Sequence, residues 1–190
     1  MTTNYVSQND LLMKNLKSYY SNIEHMDTMI QIINGQSHIS LRIVDWFTTN
    51  YSKQYYTVYD VCKNNDDIIR FKVFDDYKLK LKAYSKRRFD PFCRWDRISF
   101  PYKNGLHIQT TIGQLNFFKW AIENDIIKYI NDNYTDIDND MNTRNSQSNT
   151  KLRDKQKLNL SSSRKKRTEL SLSAVKTIKK ENIEIEISFS

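Results

Sequence analysis

Glycine is almost missing from this chain: Gly35, Gly105 and Gly113 are the whole complement in 190 residues. Loops that cradle phosphate need closely spaced glycines so that backbone N–H groups can approach the ligand, so the P-loop and the dinucleotide fingerprint are both excluded. No serine sits in a nucleophile-elbow pattern either. The two cysteines, Cys62 and Cys93, are too few for a disulfide framework, and their apolar neighbours mark them as small core residues. His25, His38 and His107 are scattered, with no Cys or acidic partner at the two-to-five-residue spacing that zinc ligands show. Carboxylate pairs do occur, at Asp66-Asp67 and Asp75-Asp76, but at turns and helix starts, where they cap and complement the helix dipole. No catalytic residue, metal or cofactor is therefore expected. An enzyme of unrecognised type would instead need a deep pocket lined by Asp90, Arg94 or His107.

Long apolar runs are missing too. Nowhere do about 18 apolar residues follow one another, which rules out an ordinary membrane-spanning helix. The opening MTTNYVSQNDLLMKN has neither the basic start nor the apolar core of a secretory signal. No amphipathic cationic helix or lipidation motif points to a membrane surface, so no membrane partner is expected.

What the chain does have is aromatic residues, 13% of the total, with twelve Tyr, nine Phe and three Trp. Disordered chains are poor in such rings, because their burial is what offsets the entropy of ordering. A core is thus expected, although a hydrophobic fraction of 38% is too low for it to run the whole length. The net charge is +8: 18 basic against 14 acidic side chains over residues 1–134, and 12 against 8 over 135–190. That balance favours acidic partners, nucleic acid first. Abundant Asn, Lys, Ile and Tyr also fit an AT-rich genome, which dilutes the meaning of lysine count alone.

The periodicity predicts an α+β fold, a small mixed helix and hairpin domain over residues 1–134. Leu12, Leu16, Ile23, Met26, Ile30 and Ile33 recur at helical steps over 8–33, with a break near Ser21 and a stop at Gly35. A second helix runs from Ser40 to about Tyr51. Residues 55–74 read as a hairpin turning at Asn64-Asn65-Asp66-Asp67. In 75–89, Leu79, Leu81 and Ala83 alternate with lysines like a strand, yet Tyr77, Leu81, Tyr84 and Arg88 fit a helix; the helix-forming composition favours the latter. Asp90-Pro91 ends it. Strands near 95–100 and 106–110 form a second hairpin. Thr111-Ile112-Gly113-Gln114 is a capping box opening a single helix to about Asn133, striped by Leu115, Phe118, Ile122, Ile126 and Ile130.

From Thr135 the composition turns polar, and residues 135–190 are expected to be a flexible basic tail, with 135–168 unable to bury enough to order. Ile183, Ile185, Ile187 and Phe189 alternate with polar residues, which reads either as a terminal strand over 183–189 or as chance in an unfolded end. Arg164-Lys165-Lys166-Arg167 is a compact basic cluster, a nuclear import signal or an electrostatic anchor for nucleic acid.

The most informative stretch is Lys78–Arg97, KLKLKAYSKRRFDPFCRWDR, with eight Lys or Arg against two Asp and aromatic residues between them. Cations there can contact phosphates while rings stack on bases. On that reading Lys78, Lys82, Arg87, Arg88, Arg94 and Arg97 are the phosphate contacts and Trp95 the stacking residue. The alternative is a solvated helix face, with Asp90, Arg94, Asp96 and Arg97 in local ion pairs and Phe89 and Phe92 in the core.

Four segments carry a resemblance: Ser40-Leu-Arg-Ile-Val-Asp-Trp-Phe47, Leu81-Lys-Ala-Tyr-Ser-Lys86, Arg88-Phe-Asp-Pro-Phe-Cys-Arg94 and Thr111-Ile-Gly-Gln-Leu-Asn-Phe-Phe118. Over about residues 40–134 the chain resembles a family of uncharacterised proteins of large nucleocytoplasmic DNA viruses, the mimivirus-like giant viruses among them. The resemblance implies a virus-encoded protein, acting in a viral factory of the host cytoplasm, in the virion or in the nucleus. It carries over no catalytic residue. The expectation is a non-enzymatic binding protein, nucleic-acid-associated or an internal virion component, with a protein–protein adaptor binding another viral protein as the alternative.

Overall fold

A computed structural model describes residues 8–63, 67–158 and 180–181. The expected class is the one observed: helices around two small antiparallel hairpins. The first helical stretch is two helices, α1 (Gln8–Tyr19) and α2 (Ile23–Ile33). The break falls where Asn22 caps α2, its side chain accepting the Glu24 N–H at 3.0 Å. α2 ends at Asn34-Gly35, where Gly35 takes φ +69°, open to glycine at little cost. Ser40 caps α3 (Leu41–Trp46), which loosens into a π turn over Phe47–Tyr51 and closes as α4 (Ser52–Gln54).

Strands β1 (Val58–Lys63) and β2 (Asp67–Lys72) pair with Val61 opposite Ile69 and Tyr59 opposite Phe71. Val61 takes the inward position and is buried. Cys62, expected in the core, is exposed, because successive strand side chains point to opposite faces. Cys93 is buried as expected.

The ambiguous segment is helical: α5 runs Val73–Arg88 with an interruption at Ser85. β3 (Arg97–Pro101) and β4 (His107–Thr111) form the second hairpin, whose turn is tied to α2 by Tyr102 Oη and Lys103 Nζ donating to the two Asp27 carboxylate oxygens.

The capping box opens α6 (Ile112–Glu123), with Thr111 Oγ1 accepting the Gln114 N–H at 3.2 Å. Gln114, fully buried, also donates to the Pro91 carbonyl and accepts from Thr110, fastening the 90s loop to the helix. α6 is the central element; Leu115, Phe117, Phe118, Trp120 and Ala121 are all buried, so neighbours surround it. Gly113 lets the 90s loop approach: a Cβ there would lie 3.0 Å from Cys93 Cβ and 3.1 Å from the Arg87 carbonyl oxygen.

Two expectations differ from what is observed. The single helix over 111–133 is broken at Asn124-Asp125, giving α6 and α7 (Ile126–Asp132). Asp125 sits at φ 54°, a left-handed conformation that Asp tolerates better than most residues, and the Asn124 side chain bonds back to the Trp120 carbonyl. The chain also stays folded past residue 134: α8 runs Tyr134–Leu158, with Ile137 and Met141 buried one turn apart. Asp140 on α8 accepts from Trp46 Nε1, Tyr55 Oη and Arg144 Nε. Two apolar side chains and one shared carboxylate thus dock a polar helix that composition alone assigns to a tail.

Lys180 and Glu181 form β5, antiparallel to β4 opposite Ile108 and His107. The basic cluster 164–167 and the expected strand 183–189 lie outside the described residues. Among the described residues no helix is long and apolar enough to cross a membrane.

Candidate nucleic-acid interface

α5 separates its basic residues into two sets. Val73 is buried, and Tyr77, Leu81, Tyr84 and Arg88 lie half-buried along the inward side, each three or four residues from the last. Lys78, Lys82 and Lys86 are exposed at four-residue steps, and Arg87 is exposed beside them. At the start of the helix the Phe74 ring lies between two ammonium groups, Lys53 Nζ at 5.6 Å and Lys78 Nζ at 5.4 Å from its centroid.

At its other end α5 is held in an unusual shape. Ser85 adopts φ 63°, ψ 164°, a region open almost only to glycine, and Asp96 is left-handed at φ 49°. An ion pair joins the segments carrying these two positions: the Arg87 guanidinium donates to Asp96 Oδ2 at 2.5–2.6 Å. Between them Phe89 is fully buried against Phe117 and Trp120, and Phe92 is packed on the core. The loop is therefore anchored by its phenylalanines and stitched by Arg87–Asp96. What it leaves outside is Arg94, Trp95 and Arg97, all exposed, the indole of Trp95 at 73%.

Of the residues singled out in the sequence, Lys78, Lys82, Arg87, Arg94, Trp95 and Arg97 are thus at the surface on α5 and the segment after it. Arg88 turns the other way, into a cleft of about 690 Å³. Sequence reasoning missed the far end of the surface. Tyr56, 85% exposed at φ 48°, lines a smaller cleft of about 290 Å³ with Lys53, Lys72 and Phe74. Lys53 and Tyr56 are some twenty residues from Phe74 in sequence, so no local pattern joins them.

One carboxylate beneath this surface is strongly perturbed. Asp45 on α3 is pushed up to about 7, by burial first and the nearby Asp90 charge second, against the pull of Lys86. The Tyr77 hydroxyl is raised to about 12 by burial and the same two carboxylates. Neither cleft is lined by Asp90, Arg94 or His107. His107 meets the Gly105 carbonyl in the β3–β4 turn, His25 stacks on Tyr19 and His38 lies against Tyr134. Among the described residues no three His, Cys, Asp or Glu side chains gather as a metal site would require.

Comparison with known proteins gives the family. Residues 3–166 match DUF7197, a family of unknown function. The chain belongs to this family. The match is wider than the 40–134 expected from the four segments, taking in α1, α2 and α8. One relative, uncharacterized protein L507 of Acanthamoeba polyphaga mimivirus, is 41% identical over 158 residues. The aligned stretch is 80% of this chain and 61% of that relative, so this family member spans less than two thirds of the mimivirus protein. The likeness to giant-virus proteins read from the sequence is thereby established. No solved structure matches the chain.

Proposed function

We propose that the protein is a non-enzymatic, virus-encoded nucleic-acid-binding factor that holds single strands along α5. The observation that carries this reading is Trp95, an indole 73% exposed between two exposed arginines, Arg94 and Arg97. A ring that size normally contributes to a core; left in water beside cations, it offers a base a stacking surface and its neighbours offer phosphate contacts. Tyr56, 85% exposed, repeats the combination beside Lys53 and Lys72 at the other end of the helix. The lysine row of α5 supplies charge between the two rings. Exposed rings favour single strands, whose bases are free to stack, over duplex. The setting is a viral factory in the host cytoplasm, or the virion if the protein travels with the genome.

The test is fluorescence anisotropy with a labelled single-stranded oligonucleotide and its duplex at several salt concentrations. Single strands bind more tightly, and affinity falls steeply with salt, log K declining with slope roughly −0.7 per phosphate neutralised. No binding even at low salt removes the proposal.

A second reading, a protein–protein adaptor, rests on exposed Leu11, Ile68, Ile69 and Leu79 on α1, β2 and α5. Pull-down from infected cells after nuclease treatment separates the two: viral proteins that stay bound favour the adaptor.

A further inference from the structure

We infer that the cleft receiving Arg88 is a second, separate binding site, for a small organic phosphate with an aromatic body. The cleft, about 690 Å³, lies between α1, the β1–β2 hairpin, α5 and α6, and its size is that of a ligand pocket. Its floor is aromatic: Phe71, Phe89 and Trp120 are buried, each in ring contact with another, and the half-buried Tyr84 stacks on Phe89.

The charges around it do not balance. Among the described residues four cations, Lys63, Lys80, Lys119 and Arg88, line it against two carboxylates, Asp76 and Glu123. Both carboxylates already have partners. Asp76 accepts from Trp120 Nε1 at 2.6 Å, and Glu123 pairs with Lys119. Lys63 is engaged as well, donating to the Glu123 carbonyl and to Asn124 Oδ1. That leaves Lys80 and Arg88. Both are half-buried, and neither is within ion-pairing distance of a carboxylate among the described residues.

A cation lining a partly enclosed cleft without a carboxylate in ion-pairing distance is open to a bound anion, which meets its charge at a lower desolvation cost than in an apolar core. Arg88 is also held in place, since the buried Asn116 of α6 donates to its carbonyl at 2.9 Å. A planar fork and a compact ammonium lining one cleft suit phosphate. The aromatic floor selects a ring attached to that phosphate over the free ion.

The site does not rest on strand binding, and the variants keep the two apart. The full chain is titrated calorimetrically with adenosine monophosphate, glycerol phosphate and inorganic phosphate, with thermal melts alongside. The nucleotide binds and raises the melting temperature, while the other two bind at least tenfold more weakly. Arg88→Gln and Lys80→Ala each lower nucleotide affinity about tenfold or more, whereas Lys82→Ala and Trp95→Ala leave it unchanged. Absence of nucleotide binding overturns the inference. So does equal affinity for inorganic phosphate, or unaltered binding by both cleft variants. Lys80 is only half-buried and makes no hydrogen bond or ion pair among the described residues, so Lys80→Ala keeps the test open if Arg88→Gln fails to fold.

Discussion

Ser85 occupies φ 63°, ψ 164°, a conformation that costs a side-chain-bearing residue about 1–3 kcal/mol. The strain turns α5 so that Arg87 reaches Asp96 while Arg88 points into the cleft. Glycine takes this conformation freely, so Ser85→Gly is expected to stabilise the fold by about 1 kcal/mol in urea denaturation. A loss of stability would mean that the Ser85 hydroxyl holds the bend. Asp45 is the other residue out of equilibrium with its surroundings. Its carboxyl is raised from 3.8 to about 7, so the folded state holds a proton that the unfolded state has released between those values. Stability from this group is therefore full below about pH 4 and lost as pH rises towards 7. Asp45→Asn removes that slope and raises stability at pH 8 by about 1–3 kcal/mol. Melting curves from pH 4 to 8 check it; an unchanged slope would show that Asp45 ionises freely. Neither feature is legible in sequence, because a left-handed serine and a desolvated aspartate look like any other Ser and Asp until the fold surrounds them.

At the scale of elements, local chemistry predicts well where it is decisive. Ser40 and Thr111 cap the helices that follow them, and the alternation of Ile69 and Phe71 with Arg70 and Lys72 lies in a strand as expected, although Val73 already opens α5. The reading falters where a tertiary contact decides. The apolar stripe over 115–130 continues across Asn124-Asp125, so periodicity alone gives one helix where there are two. α8 looks like solvated chain because its docking needs only Ile137, Met141 and Asp140. Those few contacts carry energy: each buried apolar side chain is worth about 1.5–3 kcal/mol, and hydrogen bonds to a charged group about as much. A chain ending at Tyr134 should therefore melt well below the full protein, while one ending at Leu158 keeps every one of these contacts. Equal melting temperatures for the chain ending at Tyr134 and the full chain would show that α8 adds nothing to the fold.

For the whole molecule, the sequence located half of the candidate surface. Lys78–Arg97 is contiguous, so its cations and Trp95 are visible as a cluster, whereas Lys53 and Tyr56 reach Phe74 only through the β1–β2 hairpin. The separation of Arg88 from its neighbour Arg87 was equally hidden, since it depends on the turn at Ser85. The folded molecule thus sets an outer basic face with an exposed ring at each end apart from an inner cleft with an aromatic floor. The most direct measurement is anisotropy of the full chain against a labelled single strand at low salt, compared with Trp95→Ala and with the double variant Lys78→Ala/Lys82→Ala. Loss of one stacking ring costs about 1–3 kcal/mol, a weakening of about five- to 150-fold. Loss of two lysines weakens binding and makes the salt slope shallower by about 1.4. Contradiction would be a protein that ignores the oligonucleotide, or binds it equally well in all three forms.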